Sequence, residues 1–506
     1  MQFEPSLDDA RALYEAGRPF PLAARLVADL ETPLGAYIRL AAAAPGPSFL
    51  LETVQDLSVR GRYSMIGVLP DVIWRCVDGK AQINRNAATD PDAFADEAAA
   101  PLESLRALVR ESAMEMPPGL PPMAVGVFGY LGYDMVRHME RLPQTNPDAL
   151  GVPEAIMLRP TLMAVFDSLK DELILVTPVR PRPGVPATAA VAAAQERLEA
   201  ALAALAAPLP PEPAVDGAVQ PAPEPVSNTP PETFMAMVEK AREYVRAGDI
   251  FQVVLGQRFE APFTLPPLSL YRALRRINPS PYLAYLDLGS FQLVCSSPEI
   301  LVRAREGKVT IRPLAGTRPR GATPEEDRRL GEELLADPKE RSEHLMLLDL
   351  GRNDVGRVSK IGTVKVTESF VLERYSHVQH IVSNVEGELD PRCDAIDALV
   401  AGFPAGTLSG APKVRAMEII DELELERRGP FGGCIGYFGA NGDMDSCIVL
   451  RTALVKDGRM AVQAGAGVVY DSDPRSELME CVNKSKALFR AAEEAIRIAA
   501  LARRGQ

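Results

Sequence analysis

The stretch that most constrains the fold lies near the C-terminus and contains two β-hairpins in succession. Residues 432–472 read GGCIGYFGANGDMDSCIVLRTALVKDGRMAVQAGAGVVYDS. Apolar and polar side chains alternate along these segments, as they do in strands of a sheet. Asn441-Gly442 and Asp457-Gly458 favour tight hairpin turns. Successive hairpins make an antiparallel sheet, so this part of the chain is not a doubly wound parallel fold.

The remaining sequence also has more predicted strands than helices. Residues 49–68 read as strand, loop and strand, whereas residues 5–17 and 19–30 read as short helices and the Ala-rich residues 187–205 as a longer one. We therefore predict an α+β fold of largely antiparallel β-sheets packed together, with helices on the outside.

The length of the chain, 506 residues, exceeds that of one ordinary domain and predicts two domains or one large composite domain. Residues 208–232 are rich in proline and contain no aromatic residue, which predicts an extended surface linker. The linker separates an N-terminal region, residues 1–207, from a C-terminal region, residues 233–506.

Composition excludes several classes of partner and location. The formal net charge of −13 argues against binding to nucleic acid or to an anionic membrane surface. The sequence contains no run of 18 apolar residues and no N-terminal signal pattern. Its six cysteines have no CxxC spacing and are typical of reduced core thiols. These features predict a cytoplasmic protein.

Two acidic helices have the same pattern. Asp337-Pro338 and Asp473-Pro474 are typical helix starts, because Asp caps free amides and Pro fits the first turn. Each helix then presents a Glu-x-x-Glu pair, and the four carboxylates are Glu340, Glu343, Glu477 and Glu480. One helix alone is typical of a solvated acidic face. Two such helices facing each other would supply the hard oxygen ligands that Mg²⁺ uses.

Eight segments in one order resemble those of the chorismate-utilising enzymes, and among them component I of the anthranilate synthases. The segments are GDIFQVV, SSPEILV, RPLAGTRPRG, DPKERSEHLMLLDLGRND, VQHIVS, FPAGTLSGAPKVRAMEIIDELE, GGCIGYFG and QAGAGVVYDSDPRSELMECVNK. The resemblance is dense from Thr233 to Lys486 and looser in the N-terminal region, where it rests on LLETVQDLSVRGRYSMIG. It implies the fold of that family.

The resemblance implies a Mg²⁺-dependent lyase reaction. Chorismate loses its 4-hydroxyl, takes up ammonia at C2 and eliminates pyruvate to leave anthranilate, the first committed step of tryptophan biosynthesis. By the same resemblance Glu343 and Glu480 are metal ligands, with Glu340 and Glu477 beside them in the acidic cluster. A net-acidic chain needs such a cation to hold a dicarboxylate.

Two side chains match the acid–base residues of the family. Glu299 in SSPEI matches the general acid that protonates the departing hydroxyl, which requires a raised pKa. His380 in VQHIVS matches the histidine beside the reacting ring, a proton shuttle in aromatisation. The alternatives are a strand-end surface Glu and a structural His, and His344 is assigned a supporting role.

The resemblance also implies a set of substrate contacts. Arg451 and Lys484 match cations that face the carboxylates, Gly465, Ala466 and Gly467 match a backbone cradle, and Phe431 stands where the family usually has Tyr. By the same matching, Gly316, Thr317 and Thr407 line the pocket.

Two positions discriminate within the family. Ala315 replaces the Lys that acts as a covalent nucleophile in aminodeoxychorismate synthases, and Gln252 replaces the Lys that activates water in isochorismate and salicylate synthases. We assign Gln252 to the catalytic residues. Because its amide cannot act as a general base, it fits an enzyme whose nucleophile is ammonia. Two alternatives stay open: component I of an aminodeoxyisochorismate or aminodeoxychorismate synthase, and a catalytically dead scaffolding relative.

The last implications concern partners. Ammonia is expected from a separate glutamine amidotransferase subunit, component II, in a hetero-oligomer. The family's L-tryptophan feedback site matches Glu52 and Thr53, where LLES is usual and LLET stands here, together with Pro281, Tyr282 and Leu283. The alternative for these residues is a strand edge and a turn without a regulatory ligand.

Overall fold

The computed structural model describes residues 2–56, 59–211, 224–375 and 378–502. Over these ranges the chain forms helices and one large connected sheet, and the strand pairings among them are antiparallel. The predicted α+β class is therefore confirmed. Among the helices of the described residues, none has the length and apolar character needed to cross a membrane.

The N-terminal region contributes nine of the described strands and four helices. The strands are β1 (Phe3–Glu4), β2 (Phe20–Val27), β3 (Ser48–Asp56), β4 (Val59–Val77), β5 (Lys80–Asn84), β6 (Ala95–Asp96), β7 (Gly126–Leu131), β8 (Ala155–Asp167) and β9 (Glu172–Val179). The helices are α1 (Leu7–Glu15), α2 (Pro33–Ala43), α3 (Pro101–Ser112) and α4 (Ala187–Ala206), with 3₁₀ turns at Pro122–Ala124 and Tyr133–His138.

The rest of the described chain contributes the other strands and helices. The strands are β10 (Val226–Ser227), β11 (Gln252–Pro262), β12 (Tyr282–Asp287), β13 (Gln292–Ser297), β14 (Ile300–Arg305), β15 (Lys308–Ile311), β16 (Leu314–Pro319), β17 (Lys365–Arg374), β18 (Val378–Glu388), β19 (Gly410–Ala411), β20 (Cys434–Gly439), β21 (Met444–Ile448), β22 (Thr452–Lys456) and β23 (Arg459–Val468). The helices are α5 (Pro231–Ala247), α6 (Pro267–Ile277), α7 (Pro324–Ala336), α8 (Pro338–Gly356), α9 (Ala395–Gly402), α10 (Lys413–Leu423) and α11 (Pro474–Ala502), with a 3₁₀ turn at Gly406–Leu408.

Both predicted C-terminal hairpins are confirmed. Strand β20 pairs with β21, and β22 pairs with β23, each directly across its predicted turn. Asp457 and Gly458 both have positive φ, 49° and 72°. Two successive left-handed residues are what a two-residue hairpin turn requires, which explains the Asp-Gly sequence.

Strands of the two predicted regions pair edge to edge. Strand β3 pairs with β12, and β7 pairs with β20. The predicted linker is described only at its ends, where β10 pairs with β11 and α5 begins at Pro231, while residues 212–223 lie outside the described residues. The region boundaries at residues 207 and 233 therefore stay predictions.

Alternate residues of the strands point into two different cores. In β3, Leu50 belongs to one buried cluster, and its neighbours Phe49 and Leu51 belong to the other. The Leu50 cluster also includes helix residues such as Leu198 of α4 and Leu488 of α11. Helices therefore cover one face of the sheet, as the period-two pattern and the α+β class predict.

The short helix predicted for residues 19–30 is wrong. Residues 20–27 form β2, which pairs with β9 from Phe20 opposite Val179 to Val27 opposite Glu172. Leu22, Ala23 and Ala24 are almost fully buried, so packing on both faces of the sheet overrides the weak helix preference of Ala and Leu.

Candidate active site

Glu299 lies in the bend between β13 and β14 and is only 7% exposed. Its Oε1 accepts a hydrogen bond from the Thr407 hydroxyl at 3.1 Å. Burial raises the pKa of Glu299 to about 8, while Thr407 and the charges of Arg451 and Lys484 act in the opposite direction. The carboxyl therefore holds a proton at neutral pH and can donate it.

His380 lies on β18, where its strand position is opposite Thr317 of β16. Its Nδ1 is 2.8 Å from the carbonyl oxygen of Gly316 and 3.2 Å from Thr317 Oγ1. A carbonyl can only accept, so Nδ1 carries the proton and donates it, which leaves Nε2 as an acceptor. Burial lowers the pKa of His380 to about 4, so the ring is neutral.

The positively charged side chain of Arg451 interacts electrostatically with Glu299. It follows β21 with a left-handed backbone, φ 45°. Burial lowers the pKa of Arg451, and the charge of Glu299 opposes that shift, which places the guanidinium and the carboxyl in one electrostatic site. A buried cation beside a protonated acid can hold a substrate carboxylate without deprotonating the acid completely.

The predicted glycine cradle lies on β23 and contacts β11. Gly465 and Gly467 are opposite Gly256 and Val254, and the Gly465 carbonyl accepts a hydrogen bond from Lys484 Nζ at 2.8 Å. A Cβ built on Gly467 would lie 2.5 Å from Gln252 Nε2, so a glycine is needed for Gln252 to lie there. Ala466 between the two glycines is fully buried and opposite Leu255.

Gln252, at the start of β11, is 3% exposed. In the part of the chain that the structure describes, its Oε1 is buried without a hydrogen-bond partner. An unpaired buried amide oxygen is costly, so a bound donor would stabilise it. A neutral amide beside the glycine cradle can accept from such a donor but cannot act as a general base.

Phe431 is buried beside the ion pair of Arg428 and Glu424, which was not predicted from the sequence. If residue 256 had a Cβ, that atom would lie 3.4 Å from the edge of the Phe431 ring. The Arg428 guanidinium lies 5.6 Å from the centroid of the same ring. Arg428 pairs with Glu424 and donates to the carbonyl oxygens of Leu408 and Val254. This pair fixes the position of the turn after Thr407, although the sequence shows only an i, i+4 pair at the end of α10.

The two acidic helices begin as predicted and lie close together. The Asp337 side chain accepts from the amides of Lys339 and Glu340, and the Asp473 side chain accepts from the Ser476 amide. Lys339 Nζ at the start of α8 is 3.3 Å from Asp471 Oδ1, just before α11. The two helix starts are therefore neighbours, and the charge of Glu480 on α11 acts on Glu343 of α8.

The carboxylates of the cluster have an excess of negative charge. Arg318 pairs with Glu340 at 2.9 Å, and Lys484 pairs with Glu480 at 2.7 Å. Burial raises the pKa of Glu343, and the nearby Glu340 and Glu480 raise it further. Burial likewise raises the pKa of Glu477, with a further contribution from Glu480. A divalent cation would relieve this mutual repulsion.

The donor set fits Mg²⁺. The four glutamates of the cluster all offer hard carboxylate oxygens. In Glu340 and Glu480 the ion pair with the neighbouring cation is made by Oε1. Over residues 2–56, 59–211, 224–375 and 378–502, no three of these oxygens lie within 4.8 Å of one another. An ion held here would therefore need waters or substrate oxygens to complete its shell, as Mg²⁺ commonly does.

His344 is a packing residue. It is fully buried on α8, its Nε2 lies 2.7 Å from Ser383 Oγ of β18, and its ring packs against Phe370. Burial lowers the pKa of His344 to about 4. The neutral ring joins the acidic helix to the strand that holds His380, which agrees with the supporting role predicted for it.

The two halves of the predicted tryptophan site are neighbours in the sheet. Thr53 of β3 is opposite Tyr282 of β12, and Glu52 is opposite Leu283. The Glu52 carboxylate is buried and accepts from Tyr271 and Arg275. The Thr53 hydroxyl donates to the Tyr63 carbonyl at 2.8 Å, so its methyl is the part that differs from the serine usual in the family.

A cavity of about 670 Å³ is lined by Glu299 and by two residues of the predicted tryptophan site, Pro281 and Tyr282. Its lining includes Pro281 and Tyr282 on one side and Glu299 and Tyr375 on another. The Tyr375 ring also lies edge-on to His380, 5.4 Å between centroids. Tyr375 could not be selected from the sequence, because a single tyrosine at the end of a strand has no spacing signal.

One sequence run has the spacing of an amidotransferase nucleophile, Gly-x-Cys-x-Gly, at residues 432–436. Cys434 lies inside this run but within β20, opposite Leu131 of β7. It is 2% exposed, and burial raises its pKa to about 12. A buried, protonated thiol is a poor nucleophile, so this run is a strand and not a glutaminase loop.

The sequence matches the chorismate binding enzyme family over residues 70–490. It is 56% identical to anthranilate synthase component 1 of Cereibacter sphaeroides, with 95% of this chain and 96% of that protein aligned. The chain belongs to the anthranilate synthase component 1 family. Component 1 of Thermus thermophilus is 47% identical over 94% of this chain and 98% of its own length.

A solved member of the anthranilate synthase component 1 family has the same fold. Component I of Streptococcus pneumoniae superposes with a TM-score of 0.74 at 37% identity, covering 85% of this chain and 92% of that chain. The chorismate-utilising fold expected from the sequence segments is therefore confirmed, and the enzyme class with it.

Proposed function

We propose that this chain is the Mg²⁺-dependent, chorismate-converting subunit of an anthranilate synthase. The overall change would be chorismate plus ammonia to anthranilate, pyruvate and water. The observation that carries the proposal is Glu299, a buried carboxyl with a pKa of about 8 that contacts Thr407 and lies beside Arg451. Such a group is protonated at neutral pH and suited to protonate a departing hydroxyl.

His380 would complete the proton transfers. Its neutral ring has Nδ1–H directed to the Gly316 carbonyl, so Nε2 can take the ring proton that aromatisation releases. Arg451 and Lys484 would hold the substrate carboxylates, with the backbone of residues 465–467 in close approach. Gly316, Thr317, Thr407 and Phe431 would form the walls of that pocket.

Gln252 and Ala315 favour ammonia as the nucleophile. Ala315 has no nucleophilic side chain, and Gln252 Oε1 is a buried acceptor without a partner in the described chain. An N–H of ammonia could donate to this oxygen as the nitrogen lone pair attacks C2. Water activation at the same place would need a base, which a neutral amide is not.

Glu343 and Glu480 would hold the Mg²⁺ ion, with Glu340 and Glu477 adding negative charge around it. When bound, the ion would neutralise a substrate carboxylate. The chain's own contribution is to keep four carboxylates at the starts of α8 and α11, and to pair Glu340 with Arg318 and Glu480 with Lys484.

Ammonia would reach the site from a separate glutaminase subunit in a hetero-oligomer in the cytoplasm. Relatives are named component 1, and the Gly-x-Cys-x-Gly run of this chain is a buried strand. We expect the purified chain to form anthranilate with ammonium at pH above 8, where more free ammonia is present, and not with glutamine. Anthranilate fluorescence measures both reactions, and glutamine-dependent turnover by the pure chain would exclude the separate partner.

L-Tryptophan is the proposed inhibitor at β3 and β12. Restoring the usual serine with Thr53→Ser keeps the hydroxyl bonded to Tyr63 and removes one methyl from this site. We expect tryptophan to inhibit the wild type, and Thr53→Ser to need a lower tryptophan concentration for half inhibition. Titration of ammonium-dependent activity tests this, and no inhibition of either protein at millimolar tryptophan would refute the site.

A further inference from the structure

Three side chains outside the acidic cluster bring one ligand atom each to the same point. Cys76 lies near the end of β4, His138 ends the 3₁₀ turn after β7, and Glu154 immediately precedes β8. The distances are 3.0 Å from Cys76 Sγ to Glu154 Oε2, 3.7 Å from Sγ to His138 Nε2, and 3.6 Å from Nε2 to the same Oε2. The proposed reaction uses none of them.

These separations are close to those of ligands around a tetrahedral metal ion. Zn²⁺ bonds of 2.0–2.3 Å to sulfur, nitrogen and oxygen, at tetrahedral angles, place the ligand atoms roughly 3.3–3.6 Å apart. Among the residues that the structure describes, no other three His, Cys, Asp or Glu ligand atoms converge within 4.8 Å.

The arrangement differs from that of a nucleophile triad. In a Cys–His–acid relay the carboxylate contacts the ring nitrogen that faces away from the sulfur. Here Sγ and the Glu154 carboxylate both face Nε2. Cys76 is also fully buried, so a substrate could not reach its thiol. Three atoms that converge on one point fit a shared cation better than a relay of protons.

Hydrogen bonds with the backbone hold Cys76 and Glu154 in place independently of any ligand. The Glu154 amide donates to the Cys76 carbonyl at 2.8 Å, and its own carbonyl accepts from Gly132, which follows β7. The Gly79 amide donates to Glu154 Oε2 at 3.2 Å, the kind of outer contact that orients a ligating carboxylate. His138 also lines a surface hollow of about 500 Å³.

We propose that Cys76, His138 and Glu154 form a site for a borderline-soft divalent ion such as Zn²⁺, separate from the Mg²⁺ cluster. Binding forms the metal–sulfur bond and releases the thiol proton to solvent. A water entering from the hollow beside His138 would take the fourth position. The ion would link the end of β4, the 3₁₀ turn Tyr133–His138 and the start of β8.

The site also borders the segment that leads to Phe431. Arg427 Nη1 lies 3.9 Å from Glu154 Oε1, and the Tyr133 amide donates to the Gly429 carbonyl at 2.8 Å. A metal at Glu154 would therefore brace the N-terminal strands against residues 427–431. Its role would be structural, because no open face of Cys76 reaches the proposed chorismate pocket.

The test is titration of the reduced, metal-free full chain with Co²⁺, followed by absorption. We expect one equivalent to give a near-ultraviolet thiolate-to-cobalt band that Zn²⁺ removes and Mg²⁺ does not. Co²⁺ held only by the acidic cluster would give no thiolate band. Cys76→Ser should lose the band, and Cys393→Ser, a matched change at a half-buried cysteine, should keep it.

His138→Gln provides a second variant if Cys76→Ser does not fold. Loss of the imidazole ligand should weaken Co²⁺ binding by at least about 10-fold, with the circular dichroism spectrum unchanged. Absence of the thiolate band in the wild type would overturn the proposal and leave a hydrogen-bonded thiol. A band that survives Cys76→Ser, or undiminished affinity in His138→Gln, would also overturn it.

Discussion

Glu299→Gln will lower kcat by about 100- to 10,000-fold, the usual range for loss of a general acid, and at the same time will make the folded protein more stable at pH 8. The amide keeps the shape of the carboxyl and an acceptor for Thr407, but it has no proton to give. Substrate binding depends mainly on the cations and the glycine cradle, so KM should change much less than kcat.

The gain in stability follows from the raised pKa. Folding moves the pKa of Glu299 from 4.5 to about 8, mainly because the carboxyl is buried. Between these values the native state holds a proton that the unfolded chain has lost, so the wild type loses stability as pH rises. Gln carries no such proton. The free energy of unfolding of the variant, relative to wild type, should therefore rise by roughly 3 kcal/mol from pH 5 to pH 8.

Urea denaturation at pH 5, 6.5 and 8 measures that difference, and chorismate turnover at saturating ammonium measures kcat. The control is Glu388→Gln, the same change at an exposed carboxylate on the strand of His380. It should alter neither quantity appreciably. A Glu299→Gln variant with normal kcat would remove the proton donor from the mechanism, and a flat stability difference would show that the carboxyl is ionised in the native state.

Glu343→Gln and Glu480→Gln should each reduce anthranilate formation at limiting Mg²⁺ by about 100-fold or more, because a neutral amide is a weaker ligand for a hard cation than a carboxylate. Glu343→Gln should also be the more stable protein without metal. Its carboxylate is buried beside Glu340 and Glu480, which raise its pKa, and the amide relieves that repulsion.

Two measurements separate metal binding from folding. Mn²⁺ titration followed by electron paramagnetic resonance reports the affinity directly, and thermal unfolding without metal reports stability. Glu332→Gln is the matched control, since this residue is exposed on α7 and pairs with Arg328 on the surface. Near-normal rates at limiting Mg²⁺ in either cluster variant would show that the metal ligands are wrongly assigned.

Local sequence rules predicted those parts of the fold that depend on local chemistry. Asp-Gly dipeptides give hairpin turns because both residues adopt positive φ, and Asp-Pro starts helices because its side chain caps free amides. The strand at residues 20–27 was missed because its conformation depends on β9, about 150 residues later in the chain, as the pairing of Phe20 with Val179 shows. Composition alone cannot report such a neighbour.

In the candidate site too, local spacing predicts some features, and others depend on residues elsewhere in the chain. The two Glu-x-x-Glu pairs could be read from spacing, because each pair lies on one helix. The contacts of Arg428 with distant backbone carbonyls, the ring of Tyr375 beside His380, and the meeting of Cys76, His138 and Glu154 could not be. Their members come from separate elements or act through backbone carbonyls, and the tertiary structure brings them together.

The most direct test of the proposed activity follows both products of the purified chain supplied with chorismate, Mg²⁺ and ammonium. Anthranilate is measured by its fluorescence and pyruvate by reduction with lactate dehydrogenase and NADH. The account predicts that both appear in equal amounts and at the same rate. Chorismate consumed without pyruvate would show that the reaction stops at an amino-substituted intermediate, and no consumption would show an inactive relative; either result would contradict the proposed function.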